Sequence, residues 1–306
     1  MKNIKTLIMF IVFSTLLLSS TQRVAALGGN AAFWPEDDAN IWVFPHTANN
    51  WNIANTDGTD FFVMWGDDMK FGFQGGVDSD MLNLTWGMGN MGLNFGLNMT
   101  PEVLAADDTM DCGDAGDATC VADAATTIAA NFGMGMGFGD VGVGFDNAAG
   151  GTNLGVVLRR AQNVWIWDNM LVNFNMASPE VGDAVMSLGC NLFTHLDIAE
   201  NTTGLWAMGF GWTNEGADGD ITFPAMTFAV ESGMTDWATV RAGFTKDWSV
   251  TNTSSAGVDP AFGLGFNYGS FNLDMDVGTD LFTNPVGKIT GYDALGAGSF
   301  NITYTW

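Results

Sequence analysis

The residues able to do chemistry are few, and most lie in acidic stretches. Cys112 and Cys120 flank Gly113-Asp114-Ala115-Gly116-Asp117-Ala118-Thr119, with Asp107, Asp108, Asp111 and Asp123 close by. In an exported chain, oxidising conditions favour a small loop-closing disulfide between the two; free thiols or a soft-metal pair are the alternatives. Asp111, Asp114 and Asp117, with Asp218 and Asp220 after Glu215, are candidate ligands for Ca²⁺, which gathers carboxylate and carbonyl oxygens. Neither stretch follows the helix-loop-helix calcium pattern, and solvated acidic loops account for the same residues. No other cofactor is implied. His46 and His195 are the only histidines, and neither sits among residues that suggest a metal site or a triad. Gly133-Met134-Gly135-Met136-Gly137 is followed by no Lys-Ser/Thr and opens no helix, so it is not a phosphate loop. The chain reads as a non-enzyme.

Strands must position whatever chemistry there is. Leu82, Leu84, Trp86 and Met88 alternate with Asn83, Thr85 and Gly87; Gly89-Asn90 then turns the chain into Met91, Leu93, Phe95, Leu97 and Met99. Period two makes a strand with one apolar face, and Gly and Asn supply the positive φ of two-residue hairpins. This turn sets Trp86 opposite Leu93 and Leu84 opposite Phe95. Asp67-Asp68, Gly139-Asp140, Asp168-Asn169 and Gly269-Ser270 read as equivalent turns. Further strands fall at 184–196, 204–212, 221–231, 237–245 and 296–306. Longer connections fall at 100–127, 147–155, 213–220, 246–259 and 279–295, and all share one side.

The expected fold is all-β: a transmembrane antiparallel up-and-down β-barrel with an even strand number. The tally is sixteen, or fourteen if 39–45 and a neighbour are plug or loop. A soluble β-sandwich also alternates but buries its apolar faces, whereas here nearly every strand sets Gly or Asn opposite them. Trp86, Trp167, Trp206, Trp237 and Trp306 gather at the short-turn end as an interfacial belt would. Trp65 is the exception, turned inward by the simple register. The charges expected inside are Lys70, Arg160, Glu231, Arg241, Asp274 and Asp276. Asp274 and Asp276 lie opposite Gly265 and Gly263, with no side chain there to neutralise them. Such rows of charge can set ion selectivity. Leftover Cys190 alternates with Leu188 and Leu192 and reads as a small lipid-facing residue.

The amino terminus carries Lys2 and Lys5, an apolar run from Leu7 to Leu18, and a small-residue pattern at Val24-Ala25-Ala26. This reads as a secretory signal peptide cut after Ala26, since the run is too short to cross a bilayer. Residues 1–26 are then the signal, 27–59 an amino-terminal segment (first strand or plug) and 60–306 the barrel. Cleavage there leaves six basic residues against thirty-four acidic ones, a net charge of −28. That balance argues against nucleic acid. It fits either solubility in a salty habitat or attraction of cations to a pore mouth.

The final strand, Phe300-Asn301-Ile302-Thr303-Tyr304-Thr305-Trp306, resembles the signature of bacterial outer-membrane β-barrel proteins, the porin-like class. The resemblance implies that Trp306 ends the strand that closes the barrel, and that the chain resides in the outer membrane. It implies membrane lipid and the barrel assembly machinery as partners. Residues 27–45, from Leu27-Gly28-Gly29-Asn30 through the acidic Glu36-Asp37-Asp38 to Phe44-Pro45, resemble the start of long-chain fatty-acid transporter barrels. Phe44 stands where that family has Asn. The leading expectation is a water-filled, cation-preferring channel for passive diffusion of small polar solutes, as a monomer or homo-oligomer. A plugged transporter of hydrophobic compounds and a structural or surface-binding barrel are the alternatives.

Overall fold

A computed structural model describes residues 21–76, 80–100, 125–147, 151–179, 182–215, 218–251, 258–277 and 299–306. The alternating segments fold as sixteen antiparallel strands. They are β1 (Ile53–Thr56), β2 (Asp60–Gly66), β3 (Met69–Gly76), β4 (Leu82–Met88), β5 (Met91–Thr100), β6 (Ala125–Met136), β7 (Gly139–Asp146) and β8 (Gly151–Val164). There follow β9 (Trp167–Pro179), β10 (Val185–Ala199), β11 (Thr202–Glu215), β12 (Asp218–Thr235), β13 (Ala238–Ser249), β14 (Val258–Tyr268), β15 (Phe271–Val277) and β16 (Phe300–Thr305). Every strand pairs with its sequence neighbours, and β16 pairs with β1, so the sheet closes on itself. Closure removes both edges, which an open sheet of this length would leave unpaired.

The β4–β5 register is the one the alternation requires: Trp86 pairs with Leu93 and Leu84 with Phe95. Asp67-Asp68, Gly89-Asn90 and Gly269-Ser270 are turns, as read. Two expected turns are displaced. The β6–β7 turn is Gly137-Phe138, which leaves Asp140 in β7 opposite Arg159. The β8–β9 turn is Trp165-Ile166, with Trp165 at φ 55 and a bulge between Ala161 and Val164 that moves the register. Composition marks a turn's neighbourhood; the ladder selects its residues. The connection expected over 213–220 is largely ladder too, because β11 and β12 run on to Glu215 and Asp218. Even so, the seven connections at one end span two residues each, and all the longer ones lie at the other.

Residues 27–59 divide. Ile53–Thr56 is the first strand, so the barrel begins before residue 60. Residues 39–45, which the count of sixteen had included, form no strand. Residues 21–50 instead make two short helices, α1 (Thr21–Ala26) and α2 (Asn40–Val43), and 3₁₀ turns at Ala31–Phe33 and Pro45–Asn50. This plug lies against inward-facing side chains of strands all round the barrel. The lumen expected to be water-filled therefore holds polypeptide. Both main apolar clusters join plug to wall: Leu27, Phe33, Trp34 and Phe44 with Val157, Leu171, Phe193 and Leu205, and Ile41 and Trp42 with Ile53, Phe62 and Met64.

The outer surface is apolar. Leu84, Met136, Phe145, Leu188 and Phe244 are exposed along the strands. Trp65 corrects the simple register: it is 49% exposed, on the same face as Phe61 and Phe71, while Phe62 and Met64 turn inward. Its partner across the ladder is Phe71, so it belongs with the outward aromatics of the short-turn end. Trp237 and Trp306 are exposed at that end as well.

Candidate functional site

The plug meets three kinds of wall. The first, β4 to β7, is made of glycine and asparagine. A Cβ on Gly133 would lie 2.5 Å from the Pro45 nitrogen, and one on Gly92 would collide with the Pro45 carbonyl. Only glycine lets the plug backbone run this close to the strands. The neighbouring amides then satisfy that backbone. Asn94 donates to the Ile41 carbonyl at 2.7 Å, Asn131 donates to that of Trp42, and Asn49 reaches out to the Gly89 carbonyl at 3.0 Å. Buried carbonyls need partners, and inward asparagines on a β-wall supply them.

The second wall, β8 to β12, is apolar. Phe33 packs on Phe193 with ring centroids 5.0 Å apart, and Trp34 meets the edge of His195 at 5.1 Å. At its border Arg159 anchors the plug. Its guanidinium pairs with Asp140 at 2.8 Å, donates to Asn40 at 2.8 Å and to the Ala32 carbonyl at 3.1 Å, and stacks over Phe44. His46 contacts the other oxygen of Asp140 at 3.0 Å.

The third wall, β12 to β16, is charged. Arg23 of α1 bonds Asp37 within the plug and grips Glu231 on β12 at 2.9 Å. Glu231 also accepts from Arg241 of β13 at 2.6 Å, and Arg241 reaches over Gly265 to Asp274 of β15 at 2.6 Å. Five charges thus run from plug to wall in alternating sign. Burial works against the charge on Arg23, but Asp37 and Glu231 more than offset it and hold its pKa above the ordinary arginine value. Beside this chain a partly open cavity of about 230 Å³ separates plug from wall. Glu36, Asp37, Asp38, Arg241, Asp274 and Thr239 line it, among other residues.

Of the six charges expected inside, Lys70, Glu231, Arg241 and Asp274 turn inward. Lys70 donates to Asn52 at 2.8 Å and to the Gly66 carbonyl. Asp276 shares the face of Asp274 but is absent from the cavity lining. Arg160 is a correction: Arg159 is the inward residue, and Arg160 takes the outward phase of Val156 and Leu158. Val156-Val157-Leu158 is apolar at every position, so alternation could not choose between the two arginines. Asp274 is the second correction. Gly265 does not leave it unneutralised; the missing side chain opens the way for Arg241.

The sequence reading did not single out Arg23, Asp140 or Arg159. Arg23 had been assigned to the signal, and Asp140 to a turn. Asp220 accepts from Ser249 at 2.6 Å and from Thr251, hydroxyl partners of an ordinary strand-end carboxylate. Among the described residues, no three or more His, Cys, Asp or Glu side chains gather as a metal site would require. Asp111, Asp114, Asp117, Cys112 and Cys120 lie outside the described residues. Cys190 is a free thiol in the outward phase of β10.

No family model and no curated protein matches the chain. Among solved structures, it is similar to two engineered variants of the porin of Rh. blastica, each at 8% identity and a TM-score of 0.38. Both comparisons cover 81% of this chain and 89% of the porin. A third structure, described by the asymmetric conductivity of engineered proteins, stands at 9% identity over the same shares, with a TM-score of 0.38.

Proposed function

We propose that the chain is an outer-membrane channel whose lumen is largely closed by residues 21–50, leaving a narrow polar route between plug and β12–β16 for small solutes. The cavity carries this reading. Here the inner wall meets the plug with charge and hydroxyl groups, beside the close backbone approach of Ala26–Gly28 over Gly243 and Gly263. Its lining holds four carboxylates against two guanidinium groups, so a passing cation is favoured over an anion. The apolar outer face and the two-residue turns at one end support membrane insertion with the short turns toward the periplasm.

The plugged transporter of hydrophobic compounds draws on the apolar contact at β8–β12. That contact is filled by the plug's own Phe33, Trp34 and Phe44. A hydrophobic cargo would have to displace them, so the polar route is the better supported. Reconstitution of the full chain in a planar bilayer tests the proposal. Small, cation-preferring conductance steps are expected; their absence, or anion preference, would contradict it.

A further inference from the structure

The two-residue turns differ in character around the rim. Asp67-Asp68, Glu200-Asn201 and Asp236-Trp237 each carry a carboxylate, and Gly89-Asn90 and Gly269-Ser270 are small and polar. Gly137-Phe138 and Trp165-Ile166 carry no charge and no polar side chain beyond the indole, and they bracket β7 and β8. Phe138 is 53% exposed and Trp165 88%. Trp165 has a φ of 55°, which bulky side chains seldom adopt, and the bulge between Ala161 and Val164 precedes it. Its ring stands edge-on to that of Trp167, with centroids 5.8 Å apart. A strained residue held outward in this way is a pointer to a role.

Arg160 belongs to the same corner. It takes the outward phase of β8, four residues before that strand ends at Val164, roughly 10 Å above the turn at the usual strand tilt. Its partner on β9 is Met170. Toward β7 it lies beside Gly139, where a Cβ would come within 2.8 Å of its own, and Met136 of β6 follows. The chain has nine Lys and Arg against thirty-four Asp and Glu, so an arginine without a carboxylate is unexpected. Arg23, Arg159 and Arg241 all have one. Among the described residues Arg160 makes no ion pair or hydrogen bond, and its Nε is covered by protein without a partner. The carboxylates of the flanking strands are engaged elsewhere: Asp140 with Arg159 and His46, and Asp168 with the Asn169 amide.

A charge on a lipid-facing wall is costly at mid-membrane and tolerated near an interface, where a long side chain carries its head into the polar layer. Arg160 lacks an anion, and that layer holds one in every phosphate group. The carboxylates of the other turns repel anionic head groups, whereas the two apolar turns can enter the interface beside the arginine. We propose that Arg160, between Phe138 and Trp165, binds the phosphate of a glycerophospholipid in the periplasmic leaflet. The guanidinium fork suits two phosphate oxygens, and the strip over Gly139 leaves room for the glycerol end. The inference rests on the membrane orientation proposed above and is independent of conductance.

The experiment is to recover the full chain from the outer membrane of a Gram-negative host into mild detergent. Native mass spectrometry then follows binding as phosphatidylglycerol is titrated in, with heat-modifiable mobility confirming that each variant is folded. The unaltered chain should hold one phosphatidylglycerol. Arg160→Gln should weaken that binding by about tenfold or more, the worth of one charge-assisted hydrogen bond. Arg160→Lys should retain part of it, and excess inorganic phosphate should not displace the lipid. Equal binding by the unaltered chain and Arg160→Gln, or no retained lipid on either, would overturn the inference. Displacement by inorganic phosphate would overturn it too, because the site would then be one for any phosphate. Planar-bilayer recordings on the same samples show separately whether the channel reading stands.

Discussion

The β4–β7 wall and the β12–β16 wall are built from similar sequence, yet only the second adds a row of charged side chains between itself and the plug. Both alternate apolar residues with glycine, asparagine and aspartate. On β4–β7 the glycines admit the plug backbone itself, and the amides bond its carbonyls. On β13–β15 Gly243 and Gly263 also admit the plug at Ala26–Gly28, but Gly265 admits a side chain, and Arg241 crosses it to reach Asp274. The first arrangement brings plug backbone and wall into direct contact. In the second, charged side chains cross the wall around Gly265, and the cavity lies there. A row of small residues thus sets how close the plug may come, and the longest side chain that crosses the row decides whether a gap remains.

Replacing Arg241 with methionine attacks the charged side. Arg241 is 7% exposed and sits between Glu231 and Asp274, so its loss leaves one carboxylate unpaired and the other with Arg23 alone. Removing one partner of a buried pair costs about 3–5 kcal/mol. Urea unfolding in lipid vesicles should show that loss, and an unchanged midpoint would mean the carboxylates are solvated.

On the closed side, Gly92→Val should push Pro45 away from β5. Overpacking costs about 1–3 kcal/mol, most of it borne by plug docking. Conductance should rise, because the barrel ladder survives while the plug lifts. A valine that leaves conductance at the wild-type level would show that the plug backbone does not follow this wall.

The smallest change is Asp274→Asn. It removes one carboxylate from the cavity and leaves an Arg241 nitrogen without its anion. The cation-to-anion permeability ratio should fall at 0.1 M salt, where the screening length is ~10 Å, and change little at 1 M, where it is ~3 Å. An equal fall at both concentrations would point to altered structure rather than altered field.

Much of the barrel was legible because its pattern is one-dimensional. Alternation gave the strands, and Gly89-Asn90 and Gly269-Ser270 gave hairpins in their observed positions. The closing role of Phe300–Trp306 was expected from the resemblance of its alternating row and aromatic end to outer-membrane barrels, and β16 does pair with β1. The plug was less legible. Its segment has no period, since its apolar groups face several walls rather than one. Arg159 was hidden by a continuous apolar run, and Arg23 by its place next to the signal. Polar inward residues such as Asn94 pointed to water because a sequence does not reveal that a carbonyl of residue 41 will occupy that space. The partner of Asp274 was hidden for a related reason: alternation points to the immediate neighbour, Gly265, and arginine reaches one strand further.

The central claim is that solvent passes beside β12–β16 and is excluded along β4–β7. Cysteine accessibility tests it most directly, with the three native cysteines first replaced by serine. Thr239→Cys places a thiol in the cavity lining, and Asn131→Cys places one under the plug. A charged, water-soluble methanethiosulfonate is added to single channels in a planar bilayer. Rapid modification at 239 with a stepwise change in conductance, and none at 131, is the predicted result. Equal reaction at both positions, or reaction at 131 alone, would contradict the account.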